Sequence, residues 1–184
     1  YPTQRPHDAV EKIRECGGQY DLIVCSGGDG TLDEAVTGIQ MGGFQVPLGY
    51  IPAGTTNDFA TSLKIPKDIL LAADTAVKGI PFSCDVGEFN GDYFIYIAAF
   101  GIFTDVSYET KQRMKNILGH LAYLLEGTKR IFNIPSYKIK VTHEGETFED
   151  EFIFGMVTNS RSVGGFKGII GSEVVFDDGE FEVT

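Results

Sequence analysis

Two loops rich in small and polar residues are the places where this chain could do chemistry. The first is GGDGT at 27–31, between a short apolar run at 20–26 and a helical pattern at 32–41. Glycines lack a Cβ atom, so the backbone can approach a phosphate group closely. The helix that follows presents free N–H groups and the positive end of its dipole. An aspartate in such a loop is suited to hold Mg²⁺ or water, or to orient a hydroxyl, rather than to touch phosphate.

A structural explanation of this first loop is also available. The five residues suit a tight turn followed by the start of a helix. A Walker A phosphate loop is excluded because no Gly-Lys-Ser/Thr follows, and the spacing does not fit the dinucleotide fingerprint. The string alone therefore leaves a turn and a phosphate site as alternatives.

The second loop is PAGTTNDFA at 52–60, which follows a strand-like run at 46–51 and precedes a short helix near 58–63. Two hydroxyls, an amide and a carboxylate occupy its four central polar positions. The carboxyl ends of parallel strands lie at one edge of a sheet, so the polar groups of the two loops should converge. Asn57 or Asp58 would also serve as a helix cap.

The elements around these loops alternate between helix and strand. Apolar spacing predicts helices and strands in the order α-β-α-β-α over residues 1–79. The strands are expected at 20–26 and 46–51, and the helices at 7–16, at 32–41 and, for the last helical position, in two parts at 58–63 and 66–78. Strands that alternate with helices indicate a parallel sheet covered on both faces.

The pattern changes after Gly79. Strand pairs are predicted over 81–104, with a hairpin turn at Asn90-Gly91, and again over 136–158, with a turn at Glu144-Gly145. Residues 105–132 have a helical pattern between them. We therefore expect an α/β domain at 1–79 and an antiparallel β domain at 80–184 that contains one helical insertion.

Composition narrows the class of protein. The 184 residues carry a net charge of −11, which argues against nucleic-acid binding through bulk electrostatics. No run approaches the ~18–20 apolar residues of a membrane span. The three cysteines, Cys16, Cys25 and Cys84, are scattered without metal or disulfide spacing, so we expect reduced thiols in a cytoplasmic protein.

One segment is basic within this acidic chain. Lys111–Lys140 carries seven basic residues and one acidic residue and includes an apolar run at 117–125. It could meet an anionic membrane surface, although a core helix with solvated charges explains it as well. The chain begins at Tyr1 without an initiator methionine and ends within an alternating run, so we expect a fragment of a longer protein.

The two loops together resemble the catalytic domain of the diacylglycerol kinase and lipid kinase family, in particular its soluble bacterial diacylglycerol kinases. The likeness extends from near Thr3 to the end of the chain. GGDGT alone also occurs in NAD kinases, and a close variant occurs in phosphofructokinases, so GTTNDFA at 54–60 is the part that indicates lipids.

The resemblance implies a fold, a reaction and a set of partners. The fold would be a Rossmann-like α/β nucleotide-binding domain followed by an incomplete β-sandwich, with the active site between them. The reaction would transfer the γ-phosphoryl group of ATP, with Mg²⁺, to the hydroxyl of diacylglycerol and give phosphatidic acid. The partners would be this lipid and the inner membrane face, with no nucleic acid and with a homodimer left open.

The resemblance also implies roles for individual residues. Contacts to ATP fall on Thr3, Gly27, Gly28, Asp29, Gly30, Thr31, Thr55 and Asn57. Asp29, Asp58 and Asp85 would form a carboxylate network around Mg²⁺ and water. A structural Mg²⁺ would bind the side chain of Asp178 and the carbonyls of Val175 and Glu180. A strand-end turn explains Asp85 as well, and a plain Asp-Gly turn explains 177–179.

The chain departs from the family pattern in three places. Residues 171–174 read GSEV where the family has a Pro-x-Ala step. The family's proposed catalytic base, a downstream glutamate, and its first strand with a phosphate-contacting loop have no counterpart here. An NAD kinase and a non-catalytic member that binds nucleotide or lipid therefore stay as alternatives.

Overall fold

The computed structural model of the protein describes residues 1–101, 135–163, 166–167 and 174–184. These residues form two compact units, one of 1–98 with 157–184 and the other of 99–156. The bounds of these units differ from those of the expected domains, 1–79 and 80–184. The division into those two domains stays a prediction. The expected helix over 105–132 and most of the basic segment Lys111–Lys140 lie outside the described residues.

The first half of the chain has the predicted alternation of helices and strands. A one-turn 3₁₀ helix follows α1. The strands β1 and β2 then alternate with the remaining helices. The bounds are α1 (Asp8–Cys16), the 3₁₀ turn (Gly17–Gln19), β1 (Ile23–Gly27), α2 (Asp29–Gly42), β2 (Leu48–Pro52), α3 (Asp58–Ser62) and α4 (Ile69–Lys78). The order α-β-α-β-α is therefore confirmed.

Local residue types explain where these helices begin and end. The Asp68 carboxylate accepts hydrogen bonds from the N–H groups of Leu70 and Leu71 and so caps α4. Gly43 ends α2 in the left-handed conformation, at φ 64°, which costs glycine little.

Strands β1 and β2 are parallel, and they carry the core of this region. Their register runs from Ile23 opposite Leu48 to Gly27 opposite Pro52. The buried cluster contains side chains from both strands, from α2 and α3, and from the segment at 95–96: Cys25, Leu32, Ala35, Val36, Tyr50, Phe59, Ala60, Ile95 and Tyr96. The two strands thus end at the same edge, where the two polar loops begin.

The remaining strands are short and form small sheets, and the strand pairs that the structure describes in full are antiparallel. Strand order is β3-β4, β6-β7, β9-β10 and β11-β8-β5. Their bounds are β3 (Gly87–Phe89), β4 (Asp92–Phe94), β5 (Ile97–Gly101), β6 (Tyr137–His143), β7 (Glu146–Phe152), β8 (Phe154–Thr158), β9 (Ser162–Val163), β10 (Phe166–Lys167) and β11 (Glu182–Val183). The fold is a mixed α/β arrangement.

Both predicted hairpin turns are present. Asn90 and Gly91 have φ values of 55° and 85°, and Glu144 and Gly145 have values of 48° and 84°. Paired positive φ values match the twist of the flanking strands. The prediction of strand structure from residue 81 onwards is wrong at its start, because residues 81–86 have no regular structure and β3 begins at Gly87. Among the described residues, no helix is long and apolar enough to cross a membrane.

Polar side chains of α2 hold the segment at 93–95. The Thr37 hydroxyl donates to the Tyr93 carbonyl at 2.9 Å and accepts from the Tyr93 N–H at 3.2 Å. Asp33, one turn earlier, lies close to the backbone N–H of Ile95. Burial raises the pKa of the Asp33 carboxyl to about 6, the negative charges of Asp92 and Glu34 add to the rise, and the Ile95 N–H opposes it.

We expect Asp33→Asn to stabilise the protein at pH 7.5 and not at pH 4. The folded chain binds a proton at Asp33 more tightly than the unfolded chain, so wild-type stability falls as pH rises from about 4 to about 6. Asparagine keeps an oxygen acceptor for Ile95 and carries no charge. Urea unfolding should show a gain on the order of 1–2 kcal/mol at pH 7.5, below the full conversion of the pKa shift because the group is partly exposed. A gain of equal size at both pH values would contradict this explanation.

Candidate functional site

The two polar loops meet at the edge where β1 and β2 end. Gly27 is paired with Pro52, and the Ala53 N–H donates to the Gly27 carbonyl at 2.8 Å. Gly28 and Gly54 are in backbone contact, because a Cβ on Gly54 would fall on the Gly28 Cα. The predicted convergence of the loops is therefore confirmed, and it depends on two glycines.

Asn57 gives the second loop its shape. It adopts the left-handed conformation at φ 53°. Its side-chain oxygen accepts the Gly54 N–H at 2.9 Å, and its side-chain nitrogen donates to the Gly54 carbonyl at 2.8 Å. The proposed contact of Asn57 with ATP stays a prediction, since both ends of its amide are bonded within the loop.

The Tyr50 hydroxyl lies between the two loops. It is 3.2 Å from the Gly27 carbonyl and 3.4 Å from the Asn57 Oδ1, and its single proton can go to either. Burial raises the pKa of Tyr50 well above its usual value, with a further contribution from the negative charge of Asp29. The hydroxyl therefore keeps its proton and acts as a donor to one loop or the other.

Asp29 links the first loop to α3. Its carboxylate accepts the N–H groups of Asp58, at 3.1 Å, and Phe59, at 3.2 Å. Burial raises the pKa of Asp29, the two N–H groups oppose the rise, and the charge of Asp58 adds to it. The expectation that Asn57 or Asp58 caps α3 is wrong, since neither side chain does so and the cap comes from Asp29 in the other loop.

Asp58 is the first residue of α3 and is almost fully buried, at 2 % exposure. Its Oδ2 accepts a hydrogen bond of 2.9 Å from the Tyr96 hydroxyl. No sequence motif pointed to Tyr96, whose side chain is 8 % exposed. One feature of the sequence could have indicated this contact: Tyr96 lies in an apolar, strand-like run. A tyrosine hydroxyl that is buried generally needs a polar partner.

Asp85 is bonded to a different segment. Its N–H donates to the Phe176 carbonyl at 2.6 Å, and its Oδ2 accepts the Gly179 N–H at 2.7 Å. The expectation of a carboxylate within a strand is wrong, because these bonds replace a strand ladder. Asp85 and the Asp-Asp-Gly turn at 177–179, which the sequence analysis treated separately, are thus directly joined.

Asn159, which the sequence analysis also missed, connects these segments. It is fully buried, its N–H donates to the Tyr96 carbonyl at 3.1 Å, and its side-chain nitrogen lies 3.1 Å from the Phe176 carbonyl and 3.4 Å from the Asp85 carbonyl. Its Oδ1 is buried without a hydrogen-bond partner among the described residues. Such an atom is typical of a site that holds a water or an ion.

The expected structural metal site is exposed. The side chains of Val175, Asp178 and Glu180 face solvent, and Asp178 Oδ1 accepts the Glu180 N–H at 3.1 Å in a turn with Gly179 at φ 79°. In the part of the chain that the structure describes, no three His, Cys, Asp or Glu side chains cluster as metal ligands. The expected site uses one carboxylate and two carbonyls, so it stays a prediction.

The other expected nucleotide contacts lie near the two loops or in the N-terminal segment. Gly30 and Thr55 are exposed and Thr31 is half-buried, in or beside the first turn of α2 and in the second loop. Thr3 is exposed in a segment that Asp8 holds by accepting the Gln4 N–H at 2.7 Å. These contacts stay predictions.

The residues at the sheet edge fit a phosphate group with Mg²⁺. Mg²⁺ prefers oxygen ligands, and the carboxylate of Asp29 is fixed by neutral N–H donors. None of the salt bridges among the described residues uses Asp29 or Asp85, so neither charge is neutralised by a lysine or arginine there. The donor set therefore suits a divalent cation.

Comparisons with known proteins agree on one family. The sequence model of the diacylglycerol kinase catalytic domain family matches residues 1–89 of this chain. The chain is 39% identical to a diacylglycerol kinase of Bacillus subtilis (strain 168) and 35% identical to one of Staphylococcus carnosus (strain TM300). The matches cover 96% and 98% of this chain and 58% and 59% of those proteins.

A solved structure has the same fold over the same region. The crystal structure of a diacylglycerol kinase from Bacillus anthracis str. Sterne matches with a TM-score of 0.73 at 33% identity, and the match covers 98% of this chain and 61% of that one. The chain thus spans about three fifths of the length of the relatives that it matches.

We expect Gly54→Ala to destabilise the protein by about 1–3 kcal/mol, the usual cost of forcing an atom into a closed contact. The new Cβ would meet the Gly28 backbone and lie 2.8 Å from the Asn57 Oδ1. Gly30→Ala is the matched control, because its Cβ would enter open space at a helical position. Thermal unfolding should show a lower Tm for Gly54→Ala alone, and equal Tm values would refute the closed contact.

Proposed function

Because the chain belongs to the diacylglycerol kinase catalytic-domain family, we propose that it is part of an ATP- and Mg²⁺-dependent lipid kinase. The enzyme would transfer the γ-phosphoryl group of ATP to the hydroxyl of diacylglycerol and release phosphatidic acid. The observation that carries the proposal is the Asp29 carboxylate, which begins α2 beside the Gly28–Gly54 contact and is bonded to the start of α3.

The nucleotide phosphates are proposed to lie against the first loop. The first N–H groups of a helix have no partner within that helix, and here they belong to Asp29 and Gly30 at the start of α2. A phosphate can approach them closely because Gly28 and Gly30 carry no side chain. Thr31 and Thr55 would supply hydroxyl groups from the two loops, and Thr3 and Asn57 would complete the nucleotide contacts.

The carboxylates would act on charge and on water. In phosphoryl transfer, the bond between the γ-phosphorus and the bridging oxygen of ATP breaks, and a bond to the acceptor hydroxyl oxygen forms. Mg²⁺, when bound, neutralises phosphate charge. Asp29 and Asp58 would hold the ion and its water at the loop edge, while Asp85 would complete the network from its own segment. The hydroxyl proton goes to a base that we do not place among these three.

The setting of the enzyme is proposed on the same ground. A diacylglycerol substrate resides in a bilayer, so the protein would act at the inner membrane face as a peripheral, cytoplasmic enzyme. The domains would be a Rossmann-like nucleotide domain and a β-sandwich substrate domain. The parallel β1–β2 pair and the small antiparallel sheets support this arrangement.

The test is a transfer assay with the full-length protein, γ-labelled ATP and Mg²⁺. Diacylglycerol in mixed micelles is one acceptor, and other lipids and NAD are supplied separately. Labelled phosphatidic acid supports the proposal. Labelling of NAD alone would assign the chain to NAD kinases, and the absence of transfer to every acceptor, with ATP still bound, would indicate a non-catalytic binding protein.

Asp29→Asn should lower turnover by about 10²–10³-fold, the usual loss when one electrostatic contact to a transition state is removed. Asparagine keeps one of the two acceptor oxygens, so α3 loses one of its two hydrogen bonds to this side chain, and the fold should survive with a modest loss of stability. Asp74→Asn on the exposed face of α4 is the control, because it removes an equal charge far from the loops. Near-normal turnover of folded Asp29→Asn would refute the role.

Asp178→Ala should remove a Mg²⁺-dependent rise in Tm while ATP binding is retained. A cation that binds only the folded state stabilises it by mass action. Asp177→Ala is the matched control, since this neighbouring residue is equally exposed and is not an expected ligand. Melting curves at zero and saturating Mg²⁺ decide, and an equal shift in wild type and Asp178→Ala would exclude the site.

A further inference from the structure

We infer that Tyr96 is a positioning residue of the nucleotide and metal site: its hydroxyl fixes the Asp58 carboxylate, and its carbonyl connects that carboxylate through Asn159 to the Asp85 segment. The inference rests on the proposed function, because it gives a task to Asp58. It adds a residue outside both loops and outside the carboxylates.

Tyr96 and Asp58 are in direct contact through their side chains. The two side chains are 8 % and 2 % exposed, and the Oη–Oδ2 distance is 2.9 Å. A hydrogen bond to a charged acceptor is stronger than a neutral one, and a low dielectric strengthens it further. The Tyr96 ring belongs to the buried cluster, so its hydroxyl cannot easily turn away from Asp58.

Asp58 is held at two points by different residues. The N–H of Asp58 donates to Asp29, while its carboxylate accepts from Tyr96. Loss of the Tyr96 hydroxyl would leave the backbone of α3 anchored to Asp29 and would remove a hydrogen bond that directs the Asp58 carboxylate. Tyr96 therefore acts on side-chain orientation, whereas Asp29 acts on the position of the helix.

Tyr96 is also connected to the segment that contains Asp85. The Tyr96 carbonyl accepts the Asn159 N–H, and the Asn159 side chain donates towards the Phe176 and Asp85 carbonyls. The distance between residues 96 and 159 in the sequence hides this link. Tyr96 is thus the residue that contacts Asp58 with its side chain and the Asp85 segment, through Asn159, with its backbone.

The experiment compares Tyr96→Phe with Tyr93→Phe in the full-length protein. Tyr93 is half-buried in β4, and its hydroxyl makes no hydrogen bond within the described residues, so its removal is a matched control. We expect Tyr96→Phe to lower kcat about 10-fold and to raise the Mg²⁺ concentration for half-maximal rate about 3–10-fold, while KM for diacylglycerol changes less than about twofold. A purely structural role would lower Tm without this separation of constants.

A calorimetric titration with a non-hydrolysable ATP analogue and Mg²⁺ gives a second readout that needs no turnover. Tyr96→Phe should weaken Mg²⁺-dependent binding about 3–10-fold in the wild-type background and less than about twofold in an Asp58→Asn background, because contacting residues are not additive.

The outcomes separate the two proposals. If wild type transfers phosphate and Tyr96→Phe matches Tyr93→Phe in rate and binding, the role of Tyr96 is refuted and the kinase assignment stands. If wild type transfers phosphate to no acceptor, the kinase assignment fails, and the titration alone decides the role of Tyr96. Equal loss of binding in both Asp58 backgrounds would also refute it.

Discussion

The hydrogen bonds from the start of α3 to the Asp29 carboxylate are the constraint on which the rest of the site depends. A helix begins with N–H groups that it cannot satisfy itself, and α3 has no cap among its own flanking side chains. The acceptor comes from the other loop, 29 residues earlier in the chain. The two loops must therefore stay within hydrogen-bond distance, and the carboxylate must remain half-buried although burial disfavours its charged form.

Several other features of the site follow from the short separation between the two loops. With the loops so close, their backbones touch, and a side chain at Gly54 has no room. The second loop must turn within a few residues, which it does through the left-handed Asn57 and the bonds of its amide to Gly54. The parallel register places Gly27 opposite Pro52 and so starts both loops at one level.

The parts that could be predicted from the sequence are those determined by neighbouring residues. Alternating helices and strands follow from the spacing of apolar side chains, and the hairpin at 87–94 follows from the Asn90-Gly91 pair. The convergence of the loops follows from parallel strand order. Each of these depends on residues close together in the chain or on a general rule of sheet topology.

The parts that could not be predicted depend on contacts between distant residues. Residues 81–86 have the composition of a strand, but Asp85 bonds to Phe176 and Gly179 instead of a partner strand. The partner of Asp58 is Tyr96, 38 residues away, in a run that by itself resembles ordinary core. No local pattern distinguishes a tyrosine that packs from one that also orients a carboxylate.

The choice of donors around Asp29 bears on why the site is built this way. A lysine or arginine beside it would neutralise the charge and stabilise the fold at neutral pH. Its hydrogen-bond donors are backbone N–H groups instead, and the salt bridges among the described residues leave it out. Neutral donors fix the direction of a carboxylate while its full charge is retained. Burial of that charge raises the pKa of Asp29, and the same charge is what a divalent cation with phosphate would require. The local cost in stability and the proposed capacity to bind a cation thus have the same physical origin.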